Sequence, residues 1–411
     1  MASMRVFVFL LGASAFFWRI RASEQCLSPQ QHVLSQHQSP LQQTPCVGAD
    51  VNAQLPDPLQ FEHPVWSHEP FCVEGKEQAY CTHTTYDLRR GHGLSIIARP
   101  AAADAISAAL LGSRDVAHLS EDGLEVRSIP GKGNGLVATR AFRKGEMILL
   151  DSARVIVSAQ FPAQVRRSQG ESLFSAVVEQ LSTRDRKAVM SLDMSLGNRG
   201  IENIMKTNSF ACQLADGDVG DGYICLFPYI ARINHACQPK AHPRFIPKTL
   251  MMEVKAIRDI EAGEEISISY GNIDMKHAER QRLYKDGWNF TCTCSLCTAS
   301  PYEIAGSDQR RARFAQIRKM LENLTAETYD AQQIIAWEKE VMEISAREGL
   351  DILLAGDYER LAYVYAGHGM VRDAKLWAEK ARKSLLDWVA ADGGPEHGVR
   401  RIEELLRELG G

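Results

Sequence analysis

Residues 291–297 read TCTCSLC, so Cys292, Cys294 and Cys297 form a C-x-C-x-x-C pattern that gathers three of the chain's ten cysteines into six positions. Thiolates at this spacing are soft ligands for an ion such as zinc, and three of them are one short of a closed tetrahedral site. Ahead of them, in fixed order, stand GKGNGL at 131–136, RINHACQPKA at 232–241 and GEEISISYGN at 263–272. Each alone has a plain structural reading. A glycine-rich turn between strands is usually only a turn. This one lacks the Gly-Lys-Ser/Thr ending of a phosphate loop, and no strand-helix-strand unit follows it. An Asn-His pair is commonly loop structure, and a tyrosine on an apolar strand face is usually core.

Taken together and in this order, the segments resemble the SET-domain protein lysine methyltransferases, in particular the SET-and-MYND branch, whose SET domain is followed by a cysteine cluster and helical repeats. INHACQPKA is similar to the family's N-H-S-C-x-P-N signature, GEEISISYG to its G-E-E-L-x-x-x-Y strand, and CTCSLC to its post-SET C-x-C-x-x-C. The resemblance covers about residues 122–300 and extends weakly to the carboxyl terminus. No MYND finger interrupts the two SET halves, so the pattern is that of fungal-type relatives with a plain insert.

The resemblance implies a role for each motif. Cys237, the cysteine of the N-H-x-C motif, would join Cys292, Cys294 and Cys297 as the fourth ligand of a structural zinc. The backbone around Lys132, Gly133, Asn134 and Gly135 would cradle S-adenosylmethionine, with Asn234 and His235 holding its adenine and amino-acid ends. Asn208, in TNSF, would line the same pocket, and Phe290 would cover the adenine ring. Tyr270 would be catalytic, aligning the attacking lysine amine with the methyl group; Tyr223, Phe227 and Tyr229 would wall the lysine channel unless they serve core packing. The function implied is methyl transfer to a protein lysine. The alternative is a catalytically silent SET scaffold that binds proteins through its helical tail, motivated by Lys240 where the family usually has Asn. Ala236 replaces the usual Ser, and Ser269 stands where many relatives have Asp.

The elements that must position these residues follow from periodicity. From about residue 122, short segments broken by Gly and Pro read as strands, and 162–210 read as a helical insert. TLMMEVKAI and EEISISY alternate, which predicts half-buried strands with Leu250, Met252 and Val254 on one face, and Ile266, Ile268 and Tyr270 on another. Beyond the cysteines, Phe314, Ile317, Leu321 and Leu324, then Ile334, Trp337, Val341 and Ile344, keep helical spacing. Leu361, Ala362, Tyr365, Gly369, Ala374 and Ala381 keep the spacing of a tetratricopeptide unit or of an ordinary helical hairpin. The expected fold is α+β: a β-rich SET fold with a helical insert, a zinc-binding post-SET segment and an all-α, tetratricopeptide-like carboxyl-terminal domain.

With 411 residues, 45% of them hydrophobic, the chain has material for two or three domains. A net charge of −4 with no basic stripe argues against nucleic acid as a partner. The expected partners are a protein presenting a lysine and a protein bound on the carboxyl-terminal helices. Arg5 before the apolar run Val6 to Trp18 has the form of a signal peptide cleaved near Ala22 or Ser23, although Arg19 and Arg21 also fit an uncleaved anchor. Cleavage would place the protein in the secretory pathway or outside the cell, in place of the cytoplasm or nucleus. There, Cys26, Cys46, Cys72 and Cys81 would form two disulfides, and FCVEGKEQAYC reads as a hairpin with bridged ends. GHGLSIIARPAAADAISAAL reads as a strand and a small-residue helix. The expected layout is a signal peptide over 1–23, a partly disordered region with the hairpin over 24–118, the SET domain over 119–275, the post-SET segment over 276–300 and the helical domain over 301–411.

Overall fold

The computed structural model describes residues 65–89, 92–111, 122–197, 200–212, 214, 222–247, 249–389 and 396–410. The apolar leader, the Gln- and Pro-rich stretch as far as 64, and Cys26 and Cys46 lie outside the described residues. No helix among the described residues is long and apolar enough to cross a membrane.

Strands β1 (Cys72–Glu74), β2 (Ala79–Arg89) and β3 (His92–Ala98) lead into helix α1 (Pro100–Leu111). Strands β4 (Leu124–Ile129), β5 (Gly133–Ala138), β6 (Met147–Ser152) and β7 (Val155–Ser158) precede helices α2 (Phe161–Gln164), α3 (Arg167–Glu179), α4 (Thr183–Met190) and α5 (Ile201–Asn208). Next come β8 (Phe210–Cys212), β9 (Tyr223–Leu226), β10 (Asn234–His235), β11 (Ala241–Ile246), β12 (Met251–Ala256) and β13 (Ser267–Ile268). The remainder is helical: α6 (His277–Trp288), α7 (Pro301–Glu322), α8 (Ala331–Glu348), α9 (Ala355–Gly367), α10 (Val371–Ser384) and α11 (Glu396–Gly410). The fold is α+β, as the pattern of alternating and helical periodicity predicts.

The described residues divide into two compact units, one drawn from 1–119, 150–231 and 245–252, the other from 120–149, 232–244 and 253–411. The first is built on a six-stranded sheet in the order β1-β2-β3-β7-β9-β8. Its amino-terminal hairpin pairs Cys72 with Cys81, and the two form a disulfide, the bridged hairpin read from FCVEGKEQAYC. The insert helices close one face of this sheet: Leu173, Phe174 and Val177 of α3 and Ile204 and Met205 of α5 pack with Tyr80, Ile97, Val155, Val157 and Phe161.

The second unit holds the β4–β5 hairpin, the short parallel pair β10–β13 and the helices from α6 onward. Its helical core contains the apolar positions that the spacing singles out: Phe314, Ile317, Leu321, Ile334, Val341 and Ile344 are buried together, with Leu324 and Trp337 partly buried against them. Helices α9 and α10 form a hairpin in which Ala362, Ala374, Ala378 and Ala381 are fully buried. Side chains this small let two helix backbones approach closely.

Two periodicity readings fail: EEISISY forms only the two-residue β13, with Ser267 buried as well as Ile268, and TLMMEVKAI gives β12 no solvent face. In β12 Met251, Met252, Glu253 and Val254 are all buried, and Leu250 precedes the strand with φ of 53°. Alternation does not mark a solvent face here, because Glu253 is buried against Arg244 and Lys255, whose charges compensate its own.

Candidate functional site

The β4–β5 hairpin presents the glycine-rich turn. Lys132 N–H donates to Ile129 O at 3.0 Å, closing a turn in which Gly131 and Gly133 have φ of 76° and 75°. L-residues with a side chain rarely adopt that region, so glycine is needed at both. Gly135 serves a different purpose. A Cβ there would lie 2.5 Å from Ile129 Cγ1, 2.7 Å from Asn234 Nδ2 and 3.2 Å from Glu265 Oε1, so the bare backbone makes room for the Asn234 amide.

The parallel pair β10–β13 brings the Asn-His motif beside the GEEISISY strand, with Asn234 opposite Ser267 and His235 opposite Ile268. Two residues beyond Ile268 the chain turns back, and Tyr270 N–H donates to His235 Nδ1 at 3.2 Å. That bond fixes Nδ1 as an acceptor, so the neutral ring carries its proton on Nε2, which lies 3.3 Å from Cys237 Sγ. Burial pushes the His235 pKa down to about 4, partly offset by the nearby Cys294 thiolate, and keeps the ring neutral at physiological pH. The Tyr270 hydroxyl donates to Ile233 O at 2.9 Å, which fixes the phenol. Trp288 at 5.2 Å and Phe290 at 6.3 Å between ring centroids flank Tyr270, and Phe290 lies parallel to Tyr284 at 5.5 Å.

The four sulfurs of Cys237, Cys292, Cys294 and Cys297 lie within 4.8 Å of one another. Cys237 Sγ is 3.8 Å from Cys292 Sγ and 3.5 Å from Cys297 Sγ. Zinc–sulfur bonds of about 2.3 Å in a tetrahedron place sulfurs about 3.8 Å apart, so the donor set and its spacing fit that ion. Helix α6 supports the cluster. Gln281 donates to Cys292 O and accepts from Cys292 N–H, both at 2.9 Å, while buried Arg280 lies near Cys237 and Cys297. Burial alone would lower the Arg280 pKa, but the charges of Cys237 and Cys297 raise it. Helix α7 holds the segment after Tyr270: fully buried Arg311 donates to Ile273 O and is held by Glu348 at 3.0 Å.

The second unit thus gathers Lys132, Gly133, Asn134, Gly135, Asn234, His235, Tyr270, Phe290 and the four cysteines. Asn208 belongs to the first unit. It ends α5, and its amide donates to Asp193 O and Ile204 O, both at 2.8 Å. Tyr223, Phe227 and Tyr229 also lie in the first unit, where Phe227 packs between Phe210 and Phe245 and Tyr229 N–H donates to Asp151. Lys240 does not loosen its loop. Its N–H donates to Ser267 O at 3.0 Å, its carbonyl accepts from Ile257 N–H at 2.8 Å, and its ammonium pairs with Glu264 at 2.8 Å.

Sequence reasoning missed Glu265. Its carboxylate lies between Lys132 Nζ at 2.7 Å and Asn234 Nδ2 at 3.0 Å. The available signal was its place in GEEISISY, where period-2 alternation puts it on the same side as Ser267, opposite Asn234.

Residues 133–271 match the SET domain, so the chain contains one. It is similar to the histone-lysine N-methyltransferase set5 of Schizosaccharomyces pombe, 31% identical over 158 residues, or 38% of this chain and 49% of set5. It is also similar to the histone-lysine N-methyltransferase SMYD3 of Homo sapiens, 30% identical over 149 residues, or 35% of this chain and 33% of SMYD3. The N-lysine methyltransferase SMYD2 of Bos taurus is 30% identical over 118 residues, or 29% of this chain and 24% of SMYD2. The chain thus spans about half the length of these curated relatives, or less.

Proposed function

We propose that the protein is a protein lysine methyltransferase that uses S-adenosylmethionine and carries a structural zinc. The observation that carries this reading is the convergence of Asn234, His235 and Tyr270 beside the β4–β5 turn, fixed by the β10–β13 register. Lys132 and Asn234 would hold the charged amino-acid end of the donor, and Phe290 an aromatic face of it. Bound, the donor supplies an electrophilic methyl group on a sulfonium. The chain contributes alignment. Tyr270, tied down by Ile233 O, presents an oxygen that orients the incoming amine, and positioning of this kind removes several kcal/mol from a displacement barrier. A lysine entering apolar, aromatic surroundings sheds its proton more readily, because burial disfavours the ammonium.

The zinc would be held by Cys237, Cys292, Cys294 and Cys297. With four thiolates and no open position it would clamp the 290–297 segment to the Asn234–Cys237 loop and take no part in the chemistry. Histone tails are the first substrates to test, since set5 and SMYD3 are named histone-lysine methyltransferases. Incubation of the full chain with methyl-labelled donor and histones or a protein extract should label lysines. Tyr270→Phe should lower the rate about 100-fold, the usual cost of removing one preorganised hydrogen-bonding group. Labelling no higher with the native chain than with the variant overturns the reading.

A further inference from the structure

We propose that Glu265 is a positioning residue that sets which end of the Asn234 amide faces the methyl donor. This inference rests on the function proposed above. Asn234 Nδ2 lies 3.0 Å from Glu265 Oε1 and 3.3 Å from Asn134 O. A carboxylate and a backbone carbonyl only accept hydrogen bonds, so both require the amide to turn its NH2 toward them. The orientation therefore follows from the partners' chemistry, and Oδ1 is the atom left for a ligand. The bare backbone at Gly135 lets the three groups close up. The second Glu265 oxygen holds the Lys132 ammonium at 2.7 Å.

One carboxylate thus arranges an acceptor, Asn234 Oδ1, and a cation, Lys132. That pair complements the ammonium and the carboxylate of an amino-acid moiety, charged groups that the thioether and adenosine parts lack. Glu265 accordingly contributes specificity for donors that carry a free amino acid. In Glu265→Gln the neighbour gains its own donor group, so the Asn234 amide can turn round and meet the ligand ammonium with NH2 groups. Glu265 could alternatively act as a competitor, occupying Lys132 until the donor carboxylate displaces it. In that case its neutralisation would tighten binding.

The test is calorimetric titration of the full chain with S-adenosylhomocysteine, which has the amino-acid moiety, and with 5′-methylthioadenosine, which lacks it. Glu265→Gln is expected to weaken S-adenosylhomocysteine binding about tenfold or more, the scale of a lost hydrogen bond to a charged group. The 5′-methylthioadenosine affinity should stay within about twofold. Adding Asn234→Asp to Glu265→Gln exchanges acid and amide, restores an acceptor toward the ligand and should recover most of the loss. Equal loss for both ligands means that the pocket as a whole is disturbed and overturns the assignment, as does unchanged or tighter S-adenosylhomocysteine binding. A native chain that binds neither ligand overturns the methyl-donor reading, and this inference with it.

Discussion

Two buried polar clusters, one in each unit, pose the same physical problem and answer it in opposite ways. In the first unit the Asp185 carboxylate, 1% exposed, accepts from His92 Nδ1 at 2.8 Å, Gly93 N–H at 2.8 Å, Arg154 Nε at 2.9 Å and Ser182 Oγ at 2.9 Å. Burial alone would raise its pKa, but these four donors hold the carboxyl well below the usual carboxylate range. The cluster is closed, since protein donors meet what the carboxylate requires. In the second unit four sulfurs converge to within 4.8 Å of one another, with His235 and Arg280 beside them. Thiols are poor hydrogen-bond donors, and thiolates at that distance repel. A cation among them would remove that repulsion. A buried cluster satisfied by protein donors is architecture, whereas four sulfurs at this spacing form a donor set that fits an ion.

The largest expected effect breaks the open cluster. Purified from zinc-containing medium, the chain should carry about one zinc per molecule, measured by elemental analysis. Cys237→Ser should carry almost none. Because structural zinc sites contribute about 10 kcal/mol or more to the folding of their segment, metal loss should expose 288–297 to proteolysis. It should also abolish S-adenosylhomocysteine binding, since Cys237 is two residues from His235. Full binding by metal-free protein would show that the sulfurs are passive core.

A smaller effect tests the closed cluster. Asp185→Asn removes the carboxylate that accepts from Arg154 Nε, leaving that buried guanidinium only the more distant carboxylate of Asp151 at 3.7 Å, and should cost about 3 kcal/mol in chemical denaturation, with zinc content unchanged. The native aspartate's folded pKa is lowered, so its contribution is present above the unfolded value of about 3.9 and is lost as pH falls toward the folded one. Acid unfolding of the variant should therefore be less steep below about pH 4. An unchanged acid limb would remove Asp185 from the acid-sensitive groups.

These two clusters also show what could be read along the chain. The cysteines were legible because ligand spacing is local at 292–297, and the family pattern supplied Cys237. The Asp185 cluster was not, since it joins β3, α4 and the segment before β7 through contacts made only after folding. The helices beyond 300 were legible because their periodicity matches the face they bury, and the strands from about 122 because Gly and Pro break the segments. In β12 the pattern misled, since Glu253 is buried with its countercharges and leaves no polar face. Glu265 was visible as part of a motif, but its role needed the parallel register of β10 and β13.

A third buried cluster, between α7, α8 and α9, falls between these extremes and yields the smallest expected effect. Glu338 and Asp357 are both fully buried, and Arg360 pairs with each of them while Arg318 holds Asp357 at 2.9 Å. Burial and the nearby Asp357 charge push the Glu338 pKa up from 4.5 to about 8, against the pull of Arg360. A carboxyl raised in this way binds its proton more tightly in the folded chain. Stability from this group is therefore greatest below pH 4.5, falls as pH rises through about 8 and is level above that. Glu338→Gln removes the titration and keeps an acceptor for Arg360. Between pH 5 and pH 8 the native chain's Tm should fall by a few degrees relative to the variant. If the native chain instead gains on the variant over that interval, the two guanidiniums outweigh burial. Glu338 then belongs with Asp185, as a carboxylate the fold has fully satisfied.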